Sequence, residues 1–212
     1  MGDRGIFFYY TIEMTPQSFI FIGRAGAGKG TQAKLLEVQL KNLHERNVLH
    51  VETGAEFRSF LKTEGYTAGL AKTIIESGGL MPEFMPVYMW GRLLTEKYTG
   101  QEHLIFDGTP RKLLEAELLG SIFPFYNLAH PAVIYLDIEH EESSKRLTIR
   151  AKEGRRDDTA EAIERRRLAF EADVKPVVEW YRTNPNVTFL DIDGHGSIEE
   201  VHARIVKSLG LS

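Results

Sequence analysis

The chain has 212 residues, 42% hydrophobic and 26% charged, enough for a core of its own and too apolar for a disordered or low-complexity protein. Its 26 Lys and Arg against 30 Asp and Glu leave a formal charge of −4, so no global positive field draws it to nucleic acid or to an anionic membrane, and any basic site must be local. With no cysteine it has no disulfide framework, no Cys-based metal site and no thiol nucleophile, a composition that suits a reducing compartment.

Residues 1–17 read as an N-terminal extension. Their cluster Ile6-Phe7-Phe8-Tyr9-Tyr10 lies between Asp3 and Glu13 and lacks a small-residue cleavage site, so it is not read as a secretion signal. No apolar run in the chain approaches the roughly 18 to 20 residues that span a bilayer. A first strand is expected at residues 19–22, followed by a glycine loop and a helix in which Ala33, Leu36, Leu40 and Leu43 recur at helical spacing. A second strand follows at 48–51. Residues 53–97 then show helical patterns without a strand, punctuated by Gly65, Gly69, Gly78, Gly79 and Pro82, and are expected to form a small helical insertion. Further strands are expected at 104–106, 133–136 and 187–190. Between the last two, a charged stretch from Arg150 enters a long helix, with Asp157 or Asp158 as its N-cap. Val201, Ile205 and Leu209 mark a final helix. Short, near-continuous apolar strands alternating with helices imply a parallel α/β sheet buried on both faces.

The sharpest signal is Gly23-Arg24-Ala25-Gly26-Ala27-Gly28-Lys29-Gly30-Thr31, placed between the first strand and the first helix. That arrangement aims backbone N–H groups of a helix start at phosphates, with Lys29 reaching the β and γ phosphates as a point charge. Gly30 stands where Ser or Thr commonly follows the lysine, so the magnesium hydroxyl falls to Thr31. A plain glycine turn would need neither Lys29 nor Thr31. The second signal is Asp107-Gly108-Thr109-Pro110-Arg111 after the strand at 104–106. Ligands of parallel sheets lie beyond the carboxyl ends of the strands, which brings Asp107, a holder of water on Mg²⁺, and Arg111, a phosphate clamp, to the edge of the glycine loop. A local turn, with Pro110 in the first turn of a helix, is the bland alternative. The third is an arginine set, Arg146, Arg150, Arg155, Arg156, Arg165, Arg166 and Arg167. At about 100° per residue, a helix whose inward stripe is Ile163, Phe170, Val174, Val177 and Tyr181 turns Arg165 away and leaves Arg166 and Arg167 flanking it. Periodicity does not choose between those two.

These residues resemble a known family. Gly-x-x-Gly-x-Gly-Lys-Gly-Thr-Gln-Ala at 23–33, Thr-Gly-x-x-x-Arg at 53–58, Gly-Leu-x-Pro at 79–82, Asp-Gly-x-Pro-Arg at 107–111 and Arg-Arg-Asp-Asp at 155–158 occur in the order seen in adenylate kinases. The resemblance implies a three-layer α/β/α P-loop kinase fold with a central five-stranded parallel sheet. It implies one domain over 18–212, with a helical NMP-binding insertion at about 53–82 and a short lid at about 150–158 that leaves no room for a zinc site. It makes Gly26, Ala27, Gly28, Lys29, Gly30 and Thr31 the ATP phosphate cradle, with Arg146 stacked on the ATP adenine and Gly196 bordering it. Thr53, Gly54, Arg58, Gly79, Leu80, Met81, Gly108, Arg111 and Glu115 would surround the nucleoside monophosphate. Lys29, Arg111, Arg150, Arg155 and Arg166 would gather around the transferred phosphoryl group, which selects Arg166 over Arg167. The implied activity is reversible transfer of the γ-phosphoryl of Mg-ATP to AMP, by a cytoplasmic monomer with small nucleotides as its partners.

Three residues depart from the family pattern: Ala25 for Pro, Thr109 for an aromatic, and Glu115 for Gln four residues after Arg111. A Gln amide both donates to N1 and accepts from the exocyclic amine of adenine, whereas an ionised Glu only accepts and suits the N–H donors of guanine. GMP or a deoxynucleotide is therefore an alternative acceptor, unless Glu115 is a solvent-facing helix residue. From another class, the chain is a catalytically weak nucleotide-binding regulatory module.

Overall fold

The computed structural model describes residues 15–77, 79–153 and 159–211. The expected extension, apart from residues 15–17, and the second half of the expected lid, residues 154–158 with Arg155, Arg156, Asp157 and Asp158, lie outside the described residues.

The architecture starts from period-two alternation within short apolar runs. In β1 (Ser18–Gly23), Phe19 and Phe21 join one buried cluster while Ile20 and Ile22 join another on the opposite side. All four are buried, as a strand covered on both faces requires. The other strands are β2 (Val48–Glu52), β3 (His103–Asp107), β4 (Ala132–Asp137) and β5 (Thr188–Asp193). They form one five-stranded sheet of order β2-β3-β1-β4-β5 in which every neighbouring pair is parallel. Four of the five expected runs fall within these strands, and the fifth, 187–190, begins one residue before β5 and stops three short of its end.

Between strands, α1 (Lys29–His44) follows β1, and α2 (Thr53–Phe60), α3 (Tyr66–Glu76) and α4 (Phe84–Lys97) form the helical stretch after β2. Next come α5 (Leu113–Gly120) and α6 (Ile122–Phe125) after β3, and α7 (His140–Lys152), α8 (Ala160–Ala169) and α9 (Lys175–Thr183) after β4. The chain closes on α10 (Ile198–Leu209), which starts with a reciprocal capping box between Ser197 and Glu200. Leu36 and Leu40 of α1 and Ile205 of α10 cover the Phe21 face; Trp90 of α4, Leu119 of α5 and Val177 of α9 cover the Ile20 face. The result is three layers, α/β/α. Because β1 feeds a helix on one face and its neighbour β3 feeds a helix on the other, a crevice opens beyond their carboxyl ends. The register sets Phe21 beside Asp107, so the loops after both strands rise together.

Three local expectations need correction. Leu43 is 48% exposed, because the stripe of α1 leaves the sheet after Leu40. The helix after the lid is capped by Thr159, whose side chain accepts the Ala162 N–H at 3.2 Å, and not by Asp157 or Asp158. That helix is not continuous: a π-helical turn at residues 170–174 joins α8 to α9 and shifts the inward face, so Ala162 is buried while Ile163 is half-buried. The bland alternative for Pro110 does not hold either, since α5 begins three residues later, at Leu113.

The burial contrast along α1 is testable. Leu40→Ala should cost about 2–5 kcal/mol in urea unfolding, whereas Leu43→Ala should stay within about 1 kcal/mol of the parent. Equal losses would contradict the packing of α1.

Candidate active site

The loop after β1 builds the first wall. Gly28, left-handed at φ 94°, turns the chain into α1, where Lys29 is the first helical residue. The loop is braced from behind by groups that sequence patterns did not single out. Ser143 of α7 donates its hydroxyl to the Ala25 carbonyl at 2.8 Å. The Arg24 guanidinium lies 4.0 Å above the Phe170 ring and pairs with Glu171 at 2.6 Å, so the π-helical turn clasps the loop after β1. The sequence signal for this brace was an arginine inside a loop otherwise of small residues.

Lys29 Nζ donates to the carbonyls of Gly23 at 2.9 Å and Arg24 at 2.7 Å. Burial of this ammonium lowers its pKa to about 8; Asp107 opposes the shift, and the positive charges of Arg111 and Arg150 add to it. Asp107 is only 8% exposed and packs against the start of α1, where a Cβ on Gly30 would lie 3.0 Å from its Oδ2. Glycine after the lysine is thus what lets the β3 carboxylate approach. Thr31 lies on the exposed first turn beside it, on the same cleft.

Beyond β3, Arg111 Nε donates to the Gly108 carbonyl at 2.8 Å and its side chain lines the cleft. Glu115 is not solvent-facing. It is 2% exposed, lines the same cleft, and accepts from the Thr109 hydroxyl and from the Arg111 N–H. Burial raises its pKa to about 7, against the lowering pull of the Arg111 N–H, the Arg111 charge and the Lys112 N–H.

Thr53, Gly54, Arg58, Gly79, Leu80 and Met81 line the opposite wall, from α2 and the segment after α3. Thr53 is buried, and its Oγ1 meets no hydrogen-bond partner among the described residues. Arg58 pairs with Glu52 at 2.7 Å. On the loop side, Arg146 Nε pairs with Glu142 at 2.7 Å and its NH2 reaches the Gly194 carbonyl at 3.1 Å, which brings it to the turn of Gly196. Ser197 both lines the cleft and caps α10, so this turn serves the fold and the cleft together. Arg150 and Arg166 line the cleft. Arg167 instead forms a two-pronged pair with Glu164 at 2.6 and 2.9 Å, and Arg165 is exposed, its Nε bonded to the Ser77 carbonyl. The described members of the residue set named from sequence thus line one cleft of about 870 Å³, within the range of small-molecule sites.

Comparison with known proteins decides the family: the model for "Adenylate kinase" matches residues 21–186. The chain belongs to the adenylate kinase family. It is 30% identical to the adenylate kinase of Stenotrophomonas maltophilia over 90% of this chain and 97% of that protein. Identity to the adenylate kinase of Leptospira biflexa is 33% over 90% and 98% of the two chains, and to that of Thermus thermophilus 32% over 92% and 98%. As a member of the adenylate kinase family it is an ATP-dependent nucleoside monophosphate kinase.

Two titrations follow from the electrostatics. Phosphate next to Lys29 favours the charged amine, so ATP binding at pH 8 should take up about half a proton at this site. Lys29→Met should remove that uptake from calorimetric titrations in buffers of different ionisation heat; unchanged uptake would contradict the assignment. Glu115 holds its proton in the folded state up to about pH 7 and in the unfolded state only to its ordinary 4.5. Its contribution is therefore complete below that lower value and lost as the pH rises through the upper one. The melting temperature of Glu115→Gln relative to the parent should rise from pH 5 to pH 8; a constant difference would contradict the buried carboxyl.

Proposed function

We propose that this chain catalyses reversible transfer of the γ-phosphoryl group of Mg-ATP to AMP, ATP + AMP = 2 ADP. The observation that carries the reading is that the phosphate loop with Lys29 and the Asp107-to-Arg111 turn share one cleft with the wall containing Thr53, Gly54 and Arg58. Donor and acceptor phosphates meet between Lys29 and Arg111. Arg150 and Arg166, with Arg155 by family resemblance, supply positive charge around the phosphoryl group in flight. Positioning and charge stabilisation supply the catalysis in such transfers. The acceptor phosphate is already anionic near neutral pH and needs no general base, in keeping with a cleft that none of the seven histidines lines.

Magnesium is expected with the nucleotide. The Thr31 hydroxyl and the Asp107 carboxylate, the latter through water, are hard oxygen donors that fit it. When bound, the ion would neutralise negative charge on the nucleotide phosphates. Arg146 and the Gly196 turn would border the ATP base, while Gly79, Leu80 and Met81 would border that of AMP. The helical insertion at about 53–82 and the lid at about 150–158 would close over the two nucleotides and keep water from the reacting phosphate. The same reading takes the protein as a cytoplasmic monomer, which its lack of cysteine suits.

GMP is the second reading, favoured by the Glu115 carboxyl on the cleft wall. Initial rates with Mg-ATP against AMP, GMP, CMP, UMP and their deoxy forms should show AMP well ahead. Arg150→Ala and Arg166→Ala should each lower kcat about 10²- to 10⁵-fold. Near-parental rates in both variants would remove the arginine assignment, and nucleotide-dependent thermal stabilisation without turnover would identify a regulatory binding module instead.

A further inference from the structure

Two of the departures from the family pattern meet each other in the structure. Thr109 is buried and its hydroxyl donates to Oε1 of Glu115, while the Arg111 N–H donates to Oε2 at 2.8 Å. Glu115 is the third residue of α5, and Lys112 before it is extended at φ −132° with no side-chain cap. The carboxyl therefore reaches back over the helix start, as the glutamate of a capping box does, and satisfies N–H groups that the helix leaves open. Each of the two carboxyl oxygens is thus already held by a donor of this chain. We propose that Glu115 is a positioning residue: it pins the turn that delivers Arg111 to the acceptor phosphate and does not read the acceptor base.

The partner at 109 fits this role. A hydroxyl donates to Glu115 when the carboxyl is ionised and accepts from it when the carboxyl is protonated, so the Arg111 N–H keeps its acceptor in either state. An aromatic residue at 109 would leave a buried carboxyl oxygen unpaired, which is costly for such a group. The paired change Thr109 and Glu115 is thus one device: the base-facing amide of the family is replaced by an anchor turned toward the backbone. The inference rests on the kinase reading above, since it assigns Arg111 to the acceptor phosphate.

The test is initial rates with Mg-ATP and either AMP or GMP for the parent, Glu115→Gln, Thr109→Val and Glu115→Ala, each below the onset of its own unfolding. Gln keeps one oxygen for the Arg111 N–H and an amide donor for Thr109. Its kcat and its AMP-to-GMP ratio of kcat/KM should both stay within about fivefold of the parent. Glu115→Ala should lose about 10²-fold in kcat, the scale of a reactive group misplaced by about 1 Å, with the KM for ATP and the AMP-to-GMP ratio held. Thr109→Val should move in the same direction by a smaller factor, and it carries the test if the alanine variant does not fold. A change in the base ratio beyond fivefold in Glu115→Gln overturns the proposal and makes Glu115 the base reader, as does full kcat in both Thr109→Val and Glu115→Ala. A parent that turns over neither acceptor removes the kinase reading, and the proposal with it; a working parent with a shifted ratio removes the proposal alone.

Discussion

The site depends on one constraint, the side-by-side parallel pairing of β1 and β3 at the point where the sheet sends its helices to opposite faces. Registering Phe21 with Asp107 brings the phosphate loop and the Arg111 turn to a common height. At the contact between Asp107 and the start of α1, glycine at position 30 leaves room for the carboxylate, which a side chain there would crowd. Fold and proposed chemistry are joined at this spot: the same packing that buries the two strands places Lys29 and Arg111, the groups proposed to hold donor and acceptor, on one cleft.

Around that junction the chain gathers positive charge against its own overall balance. The formal charge is −4, yet Lys29, Arg111, Arg150 and Arg166 converge on one cleft. The depressed Lys29 pKa records the cost, first from burial and then from the neighbouring cations. Such crowding is unfavourable until anions enter, and phosphates then meet dipoles and charges already oriented, with little reorganisation left to do. The brace of Arg24 on Phe170 and Glu171, and of Ser143 on Ala25, holds the loop in shape where the family commonly has the stiffer proline. Phe170 lies four residues after Arg166, so the same helical segment that steadies the loop also carries a cleft arginine.

Much of this was legible in the sequence. Five apolar runs mark five strands because a parallel sheet is covered by helices on both faces, most completely over the central β1, β3 and β4, and the glycine loop and the Asp107 turn lie at fixed offsets from strand ends. What was not legible depends on contacts between distant segments. Leu43 has the right spacing and no sheet beneath it; Ile163 has the right period for a regular helix that the π-helical turn interrupts. Periodicity could not separate Arg166 from Arg167, because the choice is made by Glu164, which holds Arg167 away from the cleft. Glu115 was legible as a departure but not as a partner of Thr109, since side chains six residues apart across a turn meet only once the turn is folded.

The most direct test of the site as a whole is a crystal structure with Mg²⁺ and a dinucleoside polyphosphate that joins the two nucleotides through their phosphates. Expected is a phosphate chain running from the backbone N–H groups of residues 26–31 to Arg111, with Lys29, Arg150 and Arg166 each within hydrogen-bond reach of it. A ligand seated elsewhere, or a phosphate chain that leaves Arg111 and Arg166 without contact, would contradict the assignment of this cleft to phosphoryl transfer.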